Sequence, residues 1–182
     1  MAGRIGIFDT ETNGLLPSVT KIHCAVVKDI DSGEIFKFTP SNIDTLTNRL
    51  DTFDVLCGHH CIGFDFPALR KIFGYEYLGR KIDTLLISRL QRPNRKAPPN
   101  APPGTSPHSV EGWGYRLGRG KVSFDAWEEY SPGMLHRCTE DVEIQHLIYK
   151  ALLKEGEGEG WENAHRLNAK LFDLLQRQEE YG

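Results

Sequence analysis

The sequence has 182 residues, 39% of them hydrophobic and 26% charged, and its formal net charge is −3. This length suffices for one domain with a sizeable core, and the negative charge excludes a general polyanion binder, so any contact with nucleic acid must be local. The sequence contains neither an apolar run as long as a membrane span nor a signal-peptide pattern. We therefore expect a cytoplasmic protein without a membrane partner.

The first stretch of interest lies at the N-terminus. Residues 5–8 are apolar on both faces, which is typical of a central strand, and two acids follow, Asp9 and Glu11. Side chains two positions apart on a strand point to the same side, so both carboxylates should project from one face. They repel each other there, and a divalent cation is the partner that carboxylate oxygens favour. The alternative is a pair of solvated acids at the end of a strand.

Helices and strands alternate after an initial strand meander. Turn residues at 31–33 separate alternating apolar and polar residues, which predicts antiparallel strands at the start of the chain. In chain order we predict strands at 5–8, 21–28, 34–38, 54–57 and 81–84, and helices beginning near 41 and at 66–73, 85–90, 109–117, 124–130, 135–154 and 161–178. This order predicts an α/β fold with a mixed sheet of about five strands flanked by helices.

Two segments are too rich in proline or glycine to form regular elements. Residues 92–107 contain six prolines and predict a flexible surface loop inside a single domain that covers residues 1–182. The basic residues of this loop either contact the backbone of a nucleic acid strand or only keep the loop soluble. They are Arg92, Arg95 and Lys96. Residues 154–160 alternate glutamate and glycine, which predicts a break before the last helix.

The segment from Cys57 to Cys61 encloses two histidines and resembles a zinc cluster. No second ligand pair lies at a zinc-finger distance, and the segment follows an apolar strand. Buried, reduced thiols are therefore the favoured interpretation. The four cysteines are Cys24, Cys57, Cys61 and Cys138.

Two further acids stand where a metal centre would need them. Asp65 lies at the start of a predicted helix, where the helix N-terminus favours a carboxylate, and Asp141 lies early in the long predicted helix. Taken alone, Asp65 is equally consistent with a helix cap and Asp141 with a solvated acid. With Asp9 and Glu11 they complete a set of four carboxylates that could hold two divalent cations.

In this order the acids resemble the pattern of the DnaQ-like, or DEDD, 3′–5′ exonucleases. Residues 18–27, 82–90 and 108–118 also resemble the proofreading domain of short-tailed-phage family A DNA polymerases, so the resemblance covers almost the whole chain. It implies a ribonuclease-H-like fold and hydrolysis of single-stranded DNA from its 3′ end with two Mg²⁺ or Mn²⁺ ions. The metal ligands that it implies are Asp9, Glu11, Asp65 and Asp141, with Glu11 also catalytic. If the chain is phage-encoded, its compartment is the host cytoplasm.

The motif around Asp141 departs from the phage pattern. Phage proofreaders resemble the tyrosine subclass, with tyrosine four residues before the last aspartate, where this chain has Arg137. His136, five residues before, matches the histidine subclass and would be the general base. Five helical residues turn roughly 500°, so His136 can face the metals only at or before the helix start. Pro132 and Gly133 make a loose start plausible, whereas a surface or capping histidine is the alternative.

The same resemblance suggests contacts with the substrate. Backbone and side-chain groups beside the metals would hold the terminal nucleotide, a leucine would wedge against the last base, aromatic rings would stack, and a histidine would touch a phosphate. These residues are Thr10, Thr12, Leu15 or Leu16, Phe64 with Phe66, and His108. Core packing explains the ring of each phenylalanine equally well, and for His108 a capping or core role is slightly favoured over the phosphate contact.

The implied partners are single-stranded nucleic acid, with DNA favoured and RNA open, and a separate DNA polymerase chain. Two other functions stay open at this point. One is an exoribonuclease of the oligoribonuclease type, because the histidine subclass acts on both sugars. The other is a catalytically idle module that binds nucleic acid or docks on a polymerase.

Overall fold

A five-stranded mixed sheet lies at the centre of the computed structural model, which describes residues 3–120 and 128–181. Its strands are β1 (Ile5–Thr12), β2 (Ile22–Asp29), β3 (Ile35–Phe38), β4 (Val55–Gly58) and β5 (Arg80–Asp83). They are ordered β3-β2-β1-β4-β5; β2 is antiparallel to β1 and β3, whereas β4 and β5 run parallel to β1. The predicted meander and the mixed α/β class are therefore confirmed.

Helices cover both faces of this sheet. They are α1 (Leu46–Leu50), α2 (Asp65–Phe73), α3 (Thr84–Gln91), α4 (Val110–Arg116), α5 (Pro132–Glu155) and α6 (Glu162–Tyr181). Side-chain caps fix three helix starts, at Asp83 for α3, Ser109 for α4 and Ser131 for α5. The helix predicted at 124–130 falls largely outside the described residues. Within the described ranges, no helix combines the length and the apolar composition that crossing a membrane would require.

The core has two layers because successive residues of β1 point to opposite faces of the sheet. Phe8 packs on the α2 side, with Phe66 and Leu69, whereas Ile7 packs on the α5 side, with Met134. All four cysteines are buried and free, which confirms the prediction of buried thiols. Since Asp9 and Glu11 alternate with Thr10 in the same way, the acids lie on the α5 side and the threonine on the α2 side.

The proline-rich segment 92–107 contains no helix or strand, as predicted. It is nevertheless fastened to the body of the protein through Arg95. The guanidinium of Arg95 lies 2.5 Å from a carboxylate oxygen of Glu155 and 4.4 Å from the ring centroid of Trp113. Arg95 is thus held by its contacts with Glu155 and Trp113. The other two basic residues of this segment, Arg92 and Lys96, are exposed.

Candidate active site

Asp9 and Glu11 approach α5 from the end of β1. Asp9 Oδ1 accepts a 2.8 Å hydrogen bond from Gln145 Nε2, and the Cys138 thiol lies 3.7 Å from Asp9 Oδ2. One ligand atom from each of Asp9, Glu11 and Cys138 lies within 4.8 Å of the others. The predicted projection of both acids from one strand face is therefore observed.

Asp65 joins the site from the other side of β1. It is the first residue of α2 and is buried. Its Oδ1 accepts hydrogen bonds from the backbone N–H of Thr10, at 3.1 Å, and from the Thr10 hydroxyl, at 2.6 Å. Because Thr10 is the neighbour of Asp9 in the chain, these bonds hold the start of α2 against the acid-bearing end of β1.

Asp141 reaches the site from α5, together with an arginine. Arg137 and Asp141 are one helical turn apart on the same face, as residues four apart must be. Arg137 Nη2 lies 3.5 Å from Asp141 Oδ2, and Arg137 Nε lies 3.5 Å from Glu11 Oε1. The guanidinium thus links the acid of the first strand to the acid of the long helix.

The electrostatics show that the four acids act on one another. Burial raises the pKa of Glu11 to about 9; the charges of Asp9 and Asp141 add to this, whereas Arg137 lowers it. Burial also raises the pKa of Asp65 well above its usual range, and Asp9 adds to it. A cluster of buried, mutually repelling carboxylates with hard oxygen donors is a ligand set that a divalent cation fits.

Comparison with known proteins agrees with this geometry. The chain is 31% identical to the DNA-directed DNA polymerase of Escherichia phage T7, over 82% of this chain and 26% of the polymerase. The structure of Brucella melitensis NrnC with bound Mg²⁺ matches with a TM-score of 0.71 and 17% identity, covering 98% of this chain and 86% of that one. Escherichia coli RNase D, an exoribonuclease, matches at 0.65 and 16%, covering 94% and 44%. The chain is therefore similar in sequence to a phage DNA polymerase and shares its fold with NrnC and RNase D.

The chain spans about a quarter of the length of the curated polymerases that it matches. The solved structures are below 25% identity, so their likeness establishes the fold. No protein-family model matches the chain.

Two residues of the candidate site were missed in the sequence. Cys138 and Gln145 both contact Asp9, and with Asp141 they lie at spacings of three and four on one face of α5. That helical spacing is the signal that could have found them. Burial raises the pKa of the Cys138 thiol well above its usual range, so the group is a neutral donor to Asp9.

The start of α5 differs from the expected loose segment. The Ser131 hydroxyl accepts a 3.2 Å hydrogen bond from the Met134 N–H, and proline suits the first helical position, so α5 is regular from Pro132. The expectation of a loose start is therefore wrong. His136 lies inside the helix with its side chain exposed, about 140° around the axis from Asp141. Its role as general base stays a prediction.

The residues proposed for the terminal nucleotide lie around the end of β1. The backbone N–H and the hydroxyl of Thr10 both donate hydrogen bonds to Asp65. The Thr12 hydroxyl donates to Gly14 O at 2.9 Å. Leu15 is 74% exposed, whereas Leu16 is half-buried. Leu15 is therefore the better placed of the two leucines to meet a ligand, and each of these substrate contacts stays a prediction.

The remaining substrate-binding predictions fall on residues with packing contacts. Phe64 is half-buried immediately before α2, while Phe66 is buried and stacks on Tyr77 at 5.8 Å between ring centroids. His108 is buried, and its Nδ1 lies 2.8 Å from Ser88 Oγ. Core packing thus accounts for Phe66 and His108, and a phosphate contact by His108 stays a prediction.

Another buried acid, Asp83, supports the site without joining it. Asp83 accepts hydrogen bonds from the backbone N–H groups of His60 (3.0 Å), Ile62 (3.1 Å) and Leu85 (3.0 Å). It thereby holds the turn that leads to Asp65 against the start of α3.

Proposed function

We propose that this chain is a metal-dependent 3′–5′ exonuclease that hydrolyses phosphodiester bonds from the 3′ end of single-stranded DNA. The observation that carries the proposal is that four acids from three separate elements, Asp9, Glu11, Asp65 and Asp141, act electrostatically on one another: Asp9 on both Glu11 and Asp65, and Asp141 on Glu11. Relationship to the phage DNA polymerase supports DNA as the substrate. A DNA polymerase is the corresponding proposed partner.

Two divalent cations, Mg²⁺ or Mn²⁺, would be held by these four carboxylates. When bound, they would activate a water and stabilise the leaving oxygen of the phosphodiester. The chain's own contribution is orientation: Gln145 fixes Asp9, and Thr10 fixes Asp65. Magnesium in NrnC, which shares the fold, supports the choice of ion.

His136 is the proposed acceptor of the water's proton. Imidazole is the side-chain group best suited to accept a proton near neutral pH. Because it lies inside α5 on an exposed side, this role requires the first turn of the helix to open when substrate binds. Arg137, not His136, faces the acids in the structure, which leaves generation of hydroxide by the metals alone as the second route.

At the 3′ end, the exposed Leu15 would contact the last base. Its position directly after the acid-bearing strand supports this assignment, with Leu16, Thr12 and Phe64 as neighbours. RNA is the second candidate substrate, and its support is the fold shared with the exoribonuclease RNase D.

A degradation ladder tests the function. Single strands of DNA and RNA, labelled at the 5′ end, are incubated with Mg²⁺, with Mn²⁺ and with a chelator. We expect labelled products that shorten stepwise from the 3′ end, faster for DNA, and no cleavage with chelator or with Asp141→Asn. Faster cleavage of RNA would identify an exoribonuclease, and cleavage of neither strand would identify a module that only binds.

A further inference from the structure

Arg137 lies between two of the proposed metal ligands, Glu11 and Asp141. Two of its contacts, to Glu11 Oε1 and Asp141 Oδ2, involve carboxylate oxygens of the kind that a bound cation would need. Only 13% of the side chain is exposed. A divalent cation and the guanidinium would therefore compete for Glu11 and Asp141.

Neither of these two contacts is a short hydrogen bond. Both separations are 3.5 Å, longer than the ~2.7–2.9 Å of a well-formed charge-assisted hydrogen bond. A cation that displaces the guanidinium from these two oxygens therefore breaks no short hydrogen bond to them.

The charges also indicate where the arginine would go. Four ionised carboxylates balance two divalent cations, which leaves the positive charge of Arg137 in excess. Cations on the acids would repel the guanidinium, and the nearest new anion would be a phosphate of the bound strand. Arginine presents planar donors that match phosphate oxygens.

We propose that Arg137 exchanges partners during binding. In the metal-free protein it is the counter-ion of Glu11 and Asp141, and in the loaded protein it binds a phosphate at the 3′ end of the substrate. This inference rests on the proposed function, because it needs the acids to hold cations. It makes Arg137 a substrate-binding residue at the position where phage proofreaders resemble the tyrosine subclass.

Two binding measurements, neither of them an activity, test the exchange. Calorimetry measures Mn²⁺ binding without nucleic acid, and fluorescence anisotropy measures binding of a labelled phosphorothioate oligothymidylate, which resists hydrolysis, in Mg²⁺. The variants are Arg137→Gln, Arg137→Lys and the control Arg119→Gln. Arg119 carries the same charge beside α5 but pairs with Glu140, at 2.8 Å.

For Arg137→Gln we expect Mn²⁺ to bind roughly tenfold more tightly, because a competing partly buried charge is gone. The oligonucleotide should bind roughly tenfold more weakly, because a charge-assisted phosphate contact is lost. Arg137→Lys should fall between Arg137→Gln and wild type in both measurements, and Arg119→Gln should match wild type. Circular dichroism verifies that each variant is folded, and the lysine variant serves if the glutamine variant is not.

The exchange is overturned if Mn²⁺ or the oligonucleotide binds Arg137→Gln as it binds Arg119→Gln. In that case wild-type protein still binds Mn²⁺ and degrades DNA, so the proposed function stands. If no variant binds Mn²⁺ and wild type cleaves nothing, the metal centre itself is refuted, and the exchange fails with it.

Discussion

Asp83 and the Glu11 cluster are buried acids in the same molecule with opposite surroundings. Asp83 is 2% exposed and accepts bonds from backbone N–H groups of the turn before α2 and of the start of α3. Glu11 is similarly buried but faces Asp9 and Asp141, with Arg137 as its cation. Burial raises the pKa of both acids; backbone donors oppose the rise at Asp83, whereas neighbouring acids add to it at Glu11.

From this difference we infer a structural role for Asp83 and a functional role for Glu11. A carboxylate whose charge is satisfied by backbone donors stabilises the fold that supplies those donors. A carboxylate that faces other carboxylates contributes repulsion, and the protein retains it only for what the cluster binds. Burial alone does not distinguish the two cases, so the comparison must be tested by substitution.

The largest expected effect is on catalysis. Asp141→Asn should abolish cleavage while leaving the protein folded, with a metal-free melting temperature equal to or above that of wild type, because one repelling charge is removed. The ladder assay and thermal melts measure both. Glu140→Gln is the matched control on the same helix, since Glu140 pairs with Arg119 outside the cluster, and it should retain activity. An unfolded Asp141→Asn protein would make the acid structural, like Asp83.

The next effect concerns a residue outside the cluster. If His136 is the general base, His136→Ala should lower the rate by roughly 10²–10⁴-fold and leave Mn²⁺ binding intact. The wild-type rate should fall as pH drops through the imidazole pKa, and the variant should lose this limb of the profile. A variant with nearly the wild-type rate and the same acid limb would remove His136 from the mechanism and favour the metals as the source of hydroxide.

Asp83→Ala should destabilise the metal-free protein by about 3 kcal/mol, because several backbone donors and the cap of α3 lose their acceptor. Asp83→Asn should cost less, since its amide oxygen still accepts. Urea unfolding with chelator present measures the change. A destabilisation as small as that expected for Asp141→Asn would erase the distinction between the two kinds of acid.

The last prediction concerns the pH dependence of stability. Glu11 has a pKa of about 9 in the fold against an ordinary 4.5, so the unfolded chain loses this proton first. Its contribution to stability is therefore complete below about pH 4.5 and declines as pH rises towards 9. Melting temperatures from pH 5 to 9 in chelator should fall, and less steeply for Glu11→Gln. Equal slopes for both proteins would show that Glu11 is ionised throughout.

Much of the fold was accessible from local sequence patterns. Alternation and turn residues identified the meander. The spacing of Asp9 and Glu11 predicted their common face, because the two-residue period of a strand depends on the backbone alone. The order of the four acids was enough to indicate a resemblance to the DnaQ-like exonucleases.

Only the tertiary structure decided which side chains meet. Gln145 contacts Asp9 across 136 positions of the chain, and Arg95 is committed to Glu155 across 60. Arg137 turns towards the acids, and His136 away from them, because α5 is already helical at Pro132, so packing against β1 sets which face of the helix is inward. The side-chain period of a strand or helix is a property of that single element. These contacts instead depend on how elements far apart in the sequence pack together, and no local sequence pattern encodes that packing.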